Sequence, residues 1–124
     1  MIAKKNRFHG HASLNYLYRH GKTVRAQYFG VKYVHNQKRQ HYRLAVVVSK
    51  KIASSAVVRN RIRRRIFEQL RIQLGDLSAH TDMVVTVYDV SVAEMPTDQL
   101  QKMLNDTLVK IADRSPGINV DKLT

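Results

Sequence analysis

The sequence has no cysteine and no tryptophan, and only two prolines and nine acidic residues among its 124 positions. The missing cysteine removes disulfides, thiolate nucleophiles and cysteine-held metals. It is compatible with a reducing cytoplasm, where the chain is expected to work. No apolar run approaches the ~20 residues that span a bilayer, so no membrane partner is expected. The opening MIAKKNRFHGHAS lacks the apolar middle of a signal peptide. The shortage of carboxylates excludes the most. None of the nine forms the close pair or D-x-D cluster that hydrolytic or divalent-metal chemistry uses. His9, His11, His20, His35, His41 and His80 are scattered, and no cysteine or carboxylate stands beside His9 and His11 to complete a metal site. Neither G-x-x-x-x-G-K-[ST] nor G-x-S-x-G occurs. No catalytic residue and no metal ligand is therefore assigned to the chain's own side chains.

What is abundant is positive charge. Lys and Arg total 22, the formal net charge is +13 and the sequence pI is about 10.4. Such an imbalance predicts affinity for a polyanion and says nothing about fold. Hydrophobic residues make up 44%, ordinary for a globular chain, and the length suits one domain over 1–124 with a single modest core.

The charge is concentrated. Between Ser49 and Leu74 the segment SKKIASSAVVRNRIRRRIFEQLRIQL places Arg59, Arg61, Arg63, Arg64 and Arg65 within seven positions. At the helical period Val58, Ile62, Ile66, Phe67, Leu70 and Leu74 share one side, and Asn60, Arg61, Arg64, Arg65, Glu68 and Arg71 the other. Arg59 and Arg63 fall near the apolar side, where their stems can lie along a core. Ser54 or Ser55 suits the N-cap, and Gly75–Asp76 a stop. Like charges three and four apart repel. Of the nearby residues only Glu68 offers an offsetting carboxylate, so a polyanion is expected on that face. Arginine's planar fork fits phosphate.

The remaining elements follow in order. Met1 to Ala12 reads as a basic, loose start, with Ser13 as N-cap of a short helix carrying Leu14, Leu17 and Tyr18 and ending at Gly21. Tyr28 to His35 alternates as a strand, with Phe29, Val31 and Tyr33 on one face and Tyr28, Gly30 and Lys32 on the other. Asn36 to Gln40 is a basic turn. His41 to Ser49 is an apolar strand, expected to be central, and most simply pairs with the first as a hairpin. Met83 to Tyr88 is another strand. Pro96 and Thr97 open a last helix with Leu100, Met103, Leu104, Leu108 and Ile111 on one side and Lys102 and Lys110 opposite. Arg114 to Thr124 reads as a loose tail. Helices and strands in this mixture argue an α+β domain.

Tyr16, Tyr18, Tyr28, Phe29 and Tyr33 interleave with Arg19, Arg25 and Lys32. Unpaired bases stack on aromatic faces while cations follow phosphates. The Phe29, Val31, Tyr33 face reads as core. The Tyr28, Gly30, Lys32 face has no such reason to be apolar, and its glycine allows close backbone approach, so a shallow single-strand groove is placed there. The residues alone leave open a ribosomal or other structural RNA-binding protein, and a DNA-binding protein that sets the arginine helix in a major groove.

The segment SKKIASSAVVRNRIRRRIFE, Ser49 to Glu68, resembles the bacterial ribonuclease P protein subunit, whose signature is a strand ending in S-K-K followed by R-N-R-[IV]-[KR]-R opening a helix. Looser likeness extends to R-H-G at Arg19 to Gly21, to Tyr28–Val34 and to the strand at Met83. The resemblance implies an α-β-β-β-α-β-α sandwich like one domain of a ribosomal protein, with a minor strand around Lys22 to Gln27 and a left-handed crossover through the arginine helix. It implies a part in removing the 5′ leader of precursor tRNA, with catalysis and Mg2+ belonging to an RNA subunit. The implied partners are that catalytic RNA and precursor tRNA, with no obligate protein partner. By position, Lys50, Lys51, Arg59, Asn60, Arg61, Arg63, Arg64 and Arg65 would meet the catalytic RNA. Leu14, Tyr18, Phe29 and Lys32 match the leader groove, with Tyr28 on the same sheet face. Leu14 stands where the family often has phenylalanine, Ala53 where it usually has glycine, and Tyr88 with Asp89 where a basic residue is common.

Overall fold

The computed structural model describes residues 11–35, 42–74 and 81–114. Their order is α1 (His11–His20), β1 (Lys22–Arg25), β2 (Phe29–His35), β3 (Arg43–Val47), α2 (Ala56–Leu74), β4 (Thr81–Val87), a 3₁₀ turn (Val90–Ala93) and α3 (Thr97–Arg114). This is the mixed α+β class, one four-stranded sheet with three helices.

The sheet runs β1-β2-β4-β3. β1 pairs antiparallel with β2, β2 antiparallel with β4, and β3 parallel with β4. Two expectations are corrected. β2 and β3 are not a hairpin, because β4 lies between them. The β3 run is not central either: it is an edge strand, and Val47 is 38% exposed. The doubly covered strand is β4, with Met83, Val84 and Val85 fully buried. In β3 the outward residues Arg43, Ala45 and Val47 stay partly or fully exposed, so its apolar run marks neither a doubly covered strand nor which strand lies alongside.

Pairing register sorts the side chains into two faces. Phe29, Val31 and Tyr33 of β2 stand beside Val87, Val85 and Met83 of β4, and Leu44 and Val46 of β3 stand beside Met83 and Val85. All belong to the main core, which Ile62, Ile66 and Leu70 of α2 and Leu100, Leu104, Leu108 and Ile111 of α3 complete. Each of those seven helical side chains is at most 1% exposed. Burying one is worth about 1.5–3 kcal/mol. A like-charge helix pair costs only about 0.2–0.5 kcal/mol. Packing therefore folds α2 despite its arginines.

On the opposite face, Leu17 of α1 and Val84 are fully buried yet lie outside that core. The Lys32 ammonium donates to the Tyr18 carbonyl at 2.6 Å, which seats α1 over this side of the sheet. Gly21 ends α1, its N–H donating to Leu17 O at 2.7 Å. A Cβ there would stand 2.5 Å from that same oxygen, so the tight exit needs glycine.

Helix starts differ from expectation at one place. α1 begins at His11, so Ser13 lies inside it rather than capping it, and His11 and Ala12 are helical. At α2, Ser55 accepts from Val58 N–H at 3.4 Å and takes the N-cap place. The stop at Gly75–Asp76, the turn Asn36–Gln40 and the segments 1–10 and 115–124 lie outside the described residues.

Candidate nucleic-acid interface

The site is built where β3 hands over to α2. The main chain closes a turn after β3, with Ile52 and Ala53 N–H both donating to Ser49 O at 3.1 Å. Lys50 and Lys51 ride on this turn and are exposed. Arg59 reaches back from the first turn of α2, and its Nη1 donates to the carbonyls of Ala53 and Ser54 at 2.8 Å each. That residue fastens the turn to the helix, so the lysines and the arginine stripe hold fixed places relative to each other.

The eight residues assigned to a catalytic RNA divide by what they already touch. Lys50, Lys51 and Arg64 are exposed, with no partner among the described residues. Asn60 is exposed and accepts from Arg63 Nη1 at 2.9 Å. Arg61 donates to Glu94 at 2.5 Å, with side-chain exposures of 48% and 78%. Arg59 and Arg65 are half-buried and serve main-chain carbonyls. Arg65 grips the segment after β4: Nη1 donates to Val92 O at 2.6 Å and Nη2 to Met95 O. The guanidinium groups are thus not buried among internal carboxylates. A cationic surface runs from Lys50 and Lys51 along Asn60, Arg61 and Arg64.

Two carboxylates meet this helix face, the expected Glu68 and a second one. Glu68 faces Arg71, whose guanidinium donates to it and holds the Glu68 carboxyl below its ordinary range. Glu94, distant in sequence, meets the stripe at Arg61. Asp89 caps the 3₁₀ turn, accepting from Ser91 N–H at 2.9 Å. That backbone hydrogen bond lowers its pKa.

The second set lies between α1 and the outer sheet face. Tyr18 is 46% exposed and the Lys32 ammonium sits over its ring, 5.7 Å from the centroid, an aromatic plate with a cation beside it. Leu14 is half-buried one helical turn before Tyr18, and Tyr28 is half-buried and packs against the main core. Phe29 is 0% exposed and belongs to the core, so it does not reach this surface. Its place in the alternation had already put it on the core face. Gly30 is not open to an approaching strand. A Cβ there would come 2.3 Å from the Tyr88 hydroxyl, because the Tyr88 ring reaches across it. Gly30 pairs with Thr86, so Tyr88 is its diagonal neighbour, and a glycine diagonal to an aromatic is the signal that would have found this contact. Tyr88 keeps 43% of its surface and adds a second aromatic to this face.

Among the described residues no three His, Cys, Asp or Glu side chains are grouped to hold a metal ion. No described helix is long and apolar enough to cross a membrane.

Known proteins share this fold. A family model described as Ribonuclease P matches residues 2–112. The ribonuclease P protein component of Staphylococcus haemolyticus is 38% identical over 96 residues, 77% of this chain and 80% of that one. The solved RNase P protein of Staphylococcus aureus superposes with a TM-score of 0.73 at 32% identity, covering 86% of this chain and 94% of that one. The RNase P protein of Thermotoga maritima, at 24% identity, shares the fold with a TM-score of 0.65 over 75% of this chain and 86% of that one. On this match and these relatives, the chain belongs to the ribonuclease P protein family.

Proposed function

We propose that this chain is the protein subunit of a ribonuclease P holoenzyme, which removes the 5′ leader of precursor tRNA. The Lys50, Lys51, Asn60, Arg61 and Arg64 surface binds the catalytic RNA. Arg63 supports it through Asn60, and Arg59 and Arg65 fix its backbone frame. The RNA carries the chemistry with Mg2+, and the protein contributes binding. The observation that carries this reading is the exposed set Lys50, Lys51 and Arg64, with no side-chain partner among the described residues, in a chain of this family. Phosphate neutralisation by such a set makes affinity fall steeply with salt.

The precursor's unpaired leader lies against the outer sheet face, where Tyr18 offers a stacking plate and Lys32 a cation, with Leu14 and Tyr28 flanking. Base stacking on an aromatic is worth about 1–3 kcal/mol. Tyr18→Ala is therefore expected to weaken the holoenzyme's affinity for precursor tRNA by about that amount and to leave its affinity for mature tRNA nearly unchanged. Equal losses for the two ligands would remove the leader from this surface. A leader-length titration makes the same distinction from a structural RNA-binding protein, which gains nothing from the unpaired extension.

A further inference from the structure

The Arg61–Glu94 pair is an arrangement that the charge pattern of α2 does not ask for. Arg61 and Arg65 are four apart and therefore share a helix face. Both reach the 3₁₀ turn or the residues just after it. Arg65 holds it by the main chain, donating to the carbonyls of Val92 and Met95, whose side chains are buried. Glu94 lies between those two carbonyls, and its own N–H donates to Ser91 O at 3.1 Å. Its backbone is thus anchored on both sides while its carboxylate projects outward and meets Arg61. In a chain with 22 cations and nine carboxylates, a carboxylate is fixed against a cation of the RNA-binding stripe.

We propose that Glu94 is an internal stand-in for an RNA phosphate. It occupies part of the Arg61 fork in the free protein and gives way when RNA binds. This rests on the reading of Arg61 as a phosphate contact. Two consequences follow from charge balance. The pair must break before a phosphate takes that part of the fork, so Glu94 lowers affinity for any polyanion that uses Arg61. Glu94 also subtracts one charge from the cationic surface, so up to about one phosphate fewer is neutralised and the salt dependence is softened. An exposed ion pair is a weak one, so the effect on affinity is about two- to fivefold. Glu94 is thus an affinity-setting residue whose influence passes through Arg61.

The test measures binding over a series of salt concentrations with two probes, the ribonuclease P catalytic RNA and heparin. The proteins are the wild type, Glu94→Gln, Glu94→Ala, Arg61→Ala and the Arg61→Ala, Glu94→Gln double variant. Both Glu94 variants are expected to bind about two- to fivefold more tightly at the lowest salt, with a log–log salt slope steeper by about one ion. The gain should vanish when Arg61 is absent. Affinity and slope equal to wild type would overturn the proposal. So would a gain of the same size in the Arg61→Ala background, since that would be net charge acting at a distance. If the wild type fails to hold the catalytic RNA while heparin still shows the Arg61-dependent gain, the functional reading falls and the role of Glu94 stands.

Discussion

With Arg61 and Arg64 both changed to alanine, the chain is expected to bind the catalytic RNA at least about tenfold more weakly. Its log–log salt slope is expected to flatten by one to two ions. Each charged hydrogen bond to phosphate is worth about 1.5–3 kcal/mol, and each neutralised phosphate adds roughly one to the slope. Arg64 is exposed without a partner among the described residues, so its share of the slope is close to a full ion. Arg61 contributes less, because Glu94 already meets it. The fold should be nearly unaffected, since the one ion pair lost is exposed and worth at most about 1 kcal/mol. Salt-series titration checks the slope and thermal melting checks the fold. An unchanged slope would show that the stripe is not where RNA phosphates lie.

The second large effect is on stability and concerns Asp82. Arg43 Nε and Nη2 donate to Asp82 Oδ1 and Oδ2 at 2.9 and 2.8 Å, a two-pronged bond whose side chains are 13% and 3% exposed. The two residues are direct partners in the parallel β3–β4 ladder. A slip of one residue would turn every side chain of β3 to the wrong face, and this pair resists that slip. Asp82→Ala removes a two-pronged carboxylate from a largely buried guanidinium. The expected loss is about 3–5 kcal/mol, a large part of the 5–15 kcal/mol typical of a whole domain. Melting temperature should fall by roughly 10 °C or more. A loss below about 1 kcal/mol would mean that the pair is effectively solvated. The link to function is positional: β3 carries the chain into the Ser49–Ile52 turn, so its register sets where Lys50 and Lys51 sit.

The helices were legible in the sequence because their signals are local. Ile62, Ile66 and Leu70 of α2 and Leu100, Leu104, Leu108 and Ile111 of α3 recur at helical spacing, and all are buried. The arginine stripe and the S-K-K turn were legible for the same reason. Sheet order was not. β3 and β4 are both short apolar runs, and nothing within either one tells that β4 inserts beside β2. The parallel pairing depends on how α2 packs over the core, a property of the whole chain. The family resemblance supplied the minor strand β1, whose KTVR alternation is too short to stand alone.

In the candidate site, periodicity already placed Phe29 in the core, and position matching to the family moved it to the surface. The structure sides with the periodicity, because a side chain at 0% exposure has no face left for a base. The roles of Arg59 and Arg65 as main-chain fasteners were illegible. A charge run shows where cations cluster, but not which carbonyls the fold brings within reach. Glu94 lies 33 positions from Arg61, beyond any helical spacing, and only tertiary packing joins them.

The central claim is that this molecule is a cationic scaffold for a catalytic RNA and performs no cleavage by itself. Multiple-turnover cleavage of precursor tRNA at low Mg2+, by a ribonuclease P catalytic RNA with and without the protein, tests it most directly. Faster leader removal when the protein is added, and none by the protein alone, is the predicted result. Cleavage by the purified protein without RNA, or no change in the RNA's rate when it is added, would contradict the account.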